Sequence, residues 1–137
     1  MFGREILKPE IGRKPIYDNA HNETGRTQSF ACGNCGARVV LDIVDCIGRN
    51  AHDAESVLGP QEGDQVREHF GILHNSLANG WPFLSVASCP ACGRDHLVYV
   101  AVFEPRSGWR QAVLQGITEL QPSNHSLQRT AAPPAEL

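Results

Sequence analysis

Lysine is absent after Lys14, and the chain of 137 residues contains one methionine, two tryptophans and two tyrosines. Aromatic residues make up 7% of it, so a core has to be assembled from Val, Leu, Ile and Ala. Between Ala31 and Leu120 there are six arginines against ten aspartates and glutamates, a balance of −4. A phosphate backbone is bound through converging positive charge, and this stretch lacks that footprint. Long apolar runs are missing too. The longest, Leu97 to Phe103, has the length of a strand and falls well short of a membrane span. The opening MFGREILKPEIGRKP has no unbroken apolar stretch after its charged residues, as a secretory signal requires. The expectation is a cytoplasmic protein with no membrane association. No phosphate loop, dinucleotide fingerprint or zincin helix occurs.

What is present fits one folded domain: 41% of residues are hydrophobic and 20% charged. Residues 1–28 read as a peripheral N-terminal arm, with Pro9, Gly12, Pro15 and Gly25 interrupting any period. Residues 29–120 form the domain proper, and 121–137, with three prolines, a flexible tail. Within the domain, Arg38 to Val44 reads as a strand placing Val39, Leu41 and Ile43 on one face. A polar loop follows from Gly48 to Gly63, with a short helical turn around Ala54 to Leu58. The helical stripe Val66, Phe70, Leu73 and Leu77 predicts a helix over 64–80, capped by Asp64, weakened by Gly71 and ended by Gly80 and Pro82. Leu97 to Phe103 predicts a central strand covered on both faces. Glu104 to Gly108 predicts a turn. Trp109 to Ile117 predicts a returning strand, with Val113 and Ile117 on one face and Ala112 and Leu114 on the other. The fold class is therefore α+β: a small antiparallel sheet covered by one main helix.

The five cysteines carry the chemistry. An odd number argues against a complete internal disulfide framework. Four of them form two units, Cys32-Gly33-Asn34-Cys35-Gly36 and Cys89-Pro90-Ala91-Cys92-Gly93, each set between strand-like segments. Two residues between thiols let the chain turn so that both sulfurs face one point, and four thiolates complete a tetrahedral zinc shell. The intervening 53 residues are no obstacle, because loop closure costs only about 0.6 kcal/mol more per doubling of length. Cys32, Cys35, Cys89 and Cys92 are thus expected to hold one structural Zn2+ per chain. The layout resembles the zinc ribbon, in which two cysteine knuckles at hairpin turns clamp one zinc. The resemblance covers 29–44 and 83–103 and departs from a minimal ribbon in the long helical insertion.

Catalysis is not expected. A four-cysteine shell leaves no open position for water, and the residues after Cys35 and Cys92 favour strands, whereas a dithiol oxidoreductase places its cysteine at a helix start. His96 is expected to support a thiolate by hydrogen bonding rather than to bind metal. Cys46, near His52 and Asp53 in sequence, reads as a buried small hydrophobe. Glu62, Asp64 and Glu68 read as helix-start electrostatics. The expected partner is another protein, anchored by Trp81, Phe83, Trp109 or Arg110 and neutralised or regulated by the contact. The alternative is a nucleic-acid-binding ribbon in which Arg38, Arg94, Arg106 and Arg110 converge while Trp109 or Tyr99 stacks on bases.

Overall fold

In β6 (Asp95–Arg106) every residue from His96 to Val102 is buried, because both faces of this central strand are covered. The computed structural model describes residues 1–19, 23–72 and 80–122. Its main sheet is antiparallel and runs β1 (Phe2–Leu7), β7 (Trp109–Leu120), β6, β5 (Trp81–Ser88), with the short β2 (Tyr17–Asp18) also pairing β7. A separate two-stranded sheet joins β3 (Thr27–Ala31) to β4 (Arg38–Asp42). Among the described residues, three α-helices follow β4: α1 (Ile43–Cys46), α2 (Ala54–Val57) and α3 (Gly63–Phe70).

The alternation along β6 divides the core. Val98, Val100 and Val102 point to one side, where Leu41 of β4, Ile43 and Cys46 of α1 and Tyr17 of β2 pack on them. Leu97, Tyr99 and Ala101 point to the other, where Ala54 of α2 and Val66 and Phe70 of α3 cover them. A small antiparallel sheet carrying a helix and two cysteine pairs is therefore present. The knuckles, however, sit in two different sheets, and α2 shares the cover with α3.

Several local expectations need correction. The first strand stops at Asp42, whose side chain accepts the amide of Asp45 and turns Ile43 into a helix; Val39, Leu41 and Ile43 are nonetheless all buried. α3 starts at Gly63 after Glu62, and no side chain caps it. Asp64 instead pairs with Arg67, as does Glu55. The helix also ends early. Gly71 takes φ +69°, and the amides of Gly71 and Ile72 turn back to Glu68 and Arg67. What looked like a mid-helix weakness is the left-handed C-terminal cap. Leu73, Leu77 and His74 lie outside the described residues, as does the tail from 123.

The turn expected from Glu104 narrows to Ser107 and Gly108, since Arg106 pairs Trp109. In β7, Tyr99 pairs Gly116 while Val100 pairs Leu114, so Gln115 is an extra residue. That bulge reverses the alternation. Val113 faces the helices and Ile117 the opposite core, not one shared face. The N-terminal arm lies at the sheet's edge and is hydrogen-bonded into it. β1 and β2 line β7, and the Gln115 side chain exchanges hydrogen bonds with the backbone of Glu10. No helix among the described residues is long and apolar enough to cross a membrane.

Candidate metal centre

Each cysteine pair occupies the turn of a β-hairpin, and the two turns match bond for bond. In the first, Ala31 pairs Arg38, the Cys32 amide donates to Ala37 O at 2.8 Å, and the Gly36 amide donates to Cys32 O at 2.9 Å. In the second, Ser88 pairs Asp95, the Cys89 amide donates to Arg94 O at 2.9 Å, and the Gly93 amide donates to Cys89 O at 2.9 Å. The Asn34 amide points at Cys32 Sγ (3.3 Å) and the Ala91 amide at Cys89 Sγ (3.4 Å). Gly36 and Gly93 take φ +78° and +79°, a conformation L side chains rarely adopt, so glycine closes both turns.

The hairpins bring all four Sγ atoms within 4.8 Å of one another, the one such cluster of metal-binding side chains among the described residues. Cys32 and Cys89 are buried beside Val39; Cys35 and Cys92 are exposed. The thiols resist ionising together. Cys92 is held down to about 6, chiefly by its hydrogen bond with the Asn34 side chain and then by the Arg94 backbone. The Ala37 amide favours the Cys35 thiolate, yet hydrogen bonding with Cys89 and the other thiols, together with desolvation, leaves it pushed up to about 12. A soft-ligand divalent cation at the centre is what lets four thiolates coexist at neutral pH. The donor set and its spacing fit one structural Zn2+ per chain.

The knuckles are tied to the main sheet by residues of β6 and β7. His96 is fully buried, and its Nε2 accepts the Gly33 amide at 3.1 Å. It therefore supports the backbone of the other knuckle, not a thiolate as the sequence spacing suggested. Burial lowers its pKa, which keeps that acceptor available. Glu119 is buried and accepts both Arg94 Nη1 at 2.7 Å and the Arg4 amide at 3.1 Å. Arg94 also reaches Asn34 Oδ1 of the first knuckle at 3.3 Å. A Cβ on Gly33 would lie 3.2 Å from Glu119 Oε1, so this glycine makes room for a carboxylate. Nothing in the sequence near the cysteines announces Glu119, which joins them only through the β6–β7 pairing.

The remaining candidates disperse. Cys46 is buried away from the cluster, its pKa raised by desolvation and its side chain bonded to Ser85. Asp53 accepts the amide and hydroxyl of Ser56 as the cap of α2, and the His52 backbone pairs with Leu84. Tyr99 is buried under α3 and offers no face to a base. The four arginines do not converge. Arg94 immediately precedes β6 and Arg106 ends it, about 40 Å apart at roughly 3.3 Å per residue, and Arg94 is engaged by Glu119. Trp109 Nε1 donates to Asp18 Oδ1 at 2.7 Å. Trp81, Phe83 and Arg110 do meet: with Ile47, Val102 and Glu104 they line a cavity of about 230 Å3 at the end of β5 remote from the cysteines.

No protein-family model matches this chain, and no curated protein or solved structure matches it.

Proposed function

We propose that Cys32, Cys35, Cys89 and Cys92 hold one zinc ion as a structural clasp, and that the clasped domain is a protein-interaction module rather than an enzyme. Its docking face is the cavity at the far end of β5. Three of the four anchor candidates named from sequence, Trp81, Phe83 and Arg110, line this one cavity, and that convergence carries the reading. Trp81 is 54% exposed beside the half-buried Phe83, so an aromatic face is open to a partner at this end of β5. The apolar walls suit an aliphatic or aromatic side chain of a partner protein. Arg110, an exposed residue of the lining, has no ion-pair partner among the described residues and suits an adjacent carboxylate. On this reading the contact neutralises or regulates that partner. The alternative is a ribbon-type contact with nucleic acid, in which Arg94 and Arg106, at opposite ends of β6, would serve separate contacts.

Capture from native cells, followed by titration of the retained protein, tests this. Trp81→Ala and Arg110→Ala should each weaken binding at least about tenfold, while Val40→Ser, at the exposed apolar position on β4, should not. Capture unaffected by either cavity variant contradicts the docking face. Retained nucleic acid that survives competitor and falls steeply with salt contradicts the protein-partner reading.

A further inference from the structure

The four sulfurs are not equivalent. Cys35 and Cys92 are exposed, Cys32 and Cys89 buried. Each exposed cysteine has its sulfur against that of a buried cysteine across the cluster: Cys92 Sγ lies 3.6 Å from Cys32 Sγ, and Cys35 Sγ lies 3.6 Å from Cys89 Sγ. In both contacts the partner belongs to the other knuckle. A small oxidant arriving from solvent thus meets an outer thiolate whose touching neighbour is an inner thiolate of the opposite hairpin.

We propose that the cluster is a site of oxidation by hydroperoxides, and that oxidation joins the two knuckles to each other, through Cys32–Cys92 and Cys35–Cys89, in place of the metal. The first step is attack of the outer thiolate on the peroxide. An S–O bond forms, the O–O bond breaks, and with hydrogen peroxide the departing hydroxide takes a proton to become water. The inner thiolate then attacks the sulfenyl sulfur. The S–S bond forms, the S–O bond breaks, and a second hydroxide is protonated to water. Two electrons pass from the pair of sulfurs to one peroxide, and a second peroxide oxidises the second pair. A disulfide no longer offers thiolate ligands, so the ion leaves. The β3–β4 hairpin nonetheless stays fastened to the β5–β6 hairpin, because the new bonds run between knuckles. Cys46 is a spectator, buried in the core on the side of β6 opposite α2 and α3.

The inference rests on the zinc reading for the ion's release and on the sulfur geometry alone for the pairing. The test uses the purified full chain, treated with increasing hydrogen peroxide. Zinc release is followed with a chromogenic chelator, and the monomer band is digested with trypsin without reduction. Cleavage at arginine leaves Cys32 and Cys35 on peptide 27–38 and Cys89 and Cys92 on peptide 68–94. The expected result is the two peptides covalently linked, rising in step with zinc release, with Cys46 still a free thiol. Unlinked peptides, each two hydrogens lighter, mean pairing within each knuckle and overturn the proposal. So does survival of all four thiols under peroxide that fully oxidises glutathione. Linked peptides from a chain that carried no zinc would overturn the metal reading and leave the cross-knuckle pairing standing. Zinc-bearing protein that gives unlinked peptides would do the reverse.

Discussion

His96 Nε2 faces a backbone N–H, so the ring must be neutral with its proton on Nδ1, which then points at Ala87 O, 3.4 Å away. The Phe30 ring meets it edge-on at 5.0 Å and fixes its plane. Leucine at this position would fill much of the volume but leave the Gly33 amide without an acceptor inside the knuckle. His96→Leu should therefore cost about 1–3 kcal/mol in denaturant unfolding of the zinc-bound chain, and His96→Gln, whose side chain keeps an acceptor oxygen, should cost less. A loss below about 0.5 kcal/mol for the leucine variant would show that the bond does not hold the knuckle. The four cysteines and the glycine after each pair were legible because turn chemistry is local. His96 was legible only as a nearby polar group. Its partner lies on the other knuckle, 63 positions away, and no spacing along one strand encodes that.

At the scale of elements, β7 depends on Gln115 and Gly116 in sequence. The bulged Gln115 turns its amide to Glu10 and leaves Gly116 opposite Tyr99, where the Phe70 ring lies over it. A Cβ on Gly116 would sit 2.6 Å from Phe70 Cε1. Gly116→Ala should destabilise the domain by about 1–3 kcal/mol through displacement of that ring, read as a shifted unfolding midpoint with an unchanged slope; an unchanged midpoint would mean that α3 does not pack there. This arrangement shows where pattern reading stops. Val66 and Phe70 announce the inner face of α3, and the apolar run of β6 announces a strand covered twice. Val113 and Ile117 mislead, because strict alternation assumes an unbroken ladder and the bulge inserts one residue between them. Gly71 misleads for a related reason: a glycine within an apolar helical stripe looks the same whether it weakens the helix or caps it, until its φ is known.

Across the whole molecule, the clasp joins two hairpins of otherwise separate sheets, and few other ties bind the β3–β4 ribbon at its turn. Arg94, Glu119 and His96 brace it there, the last two from paired positions on β7 and β6. Binding free energy at such a site is largely folding free energy, so metal content reports on the architecture itself. The opposite end of β5 carries the exposed Trp81 and the cavity, which separates the part that holds the fold from the part proposed to meet a partner. The metal cluster, the strands at 38–42 and 97–103 and the returning strand after Trp109 could be anticipated from sequence, whereas β1, β2, β3 and α1 could not. The split into two sheets, the braced knuckles and the scattering of the arginines follow from strand pairings that only the fold supplies. The most direct test is elemental analysis of protein purified without chelators, against an accurate chain concentration, for the wild type and for Cys32→Ser, Cys89→Ser and Cys46→Ala. The account predicts one zinc per chain in the wild type and in Cys46→Ala, and loss of zinc together with the folded state in the other two. Wild-type protein devoid of metal, or zinc that disappears with Cys46 and persists without Cys32, would contradict it.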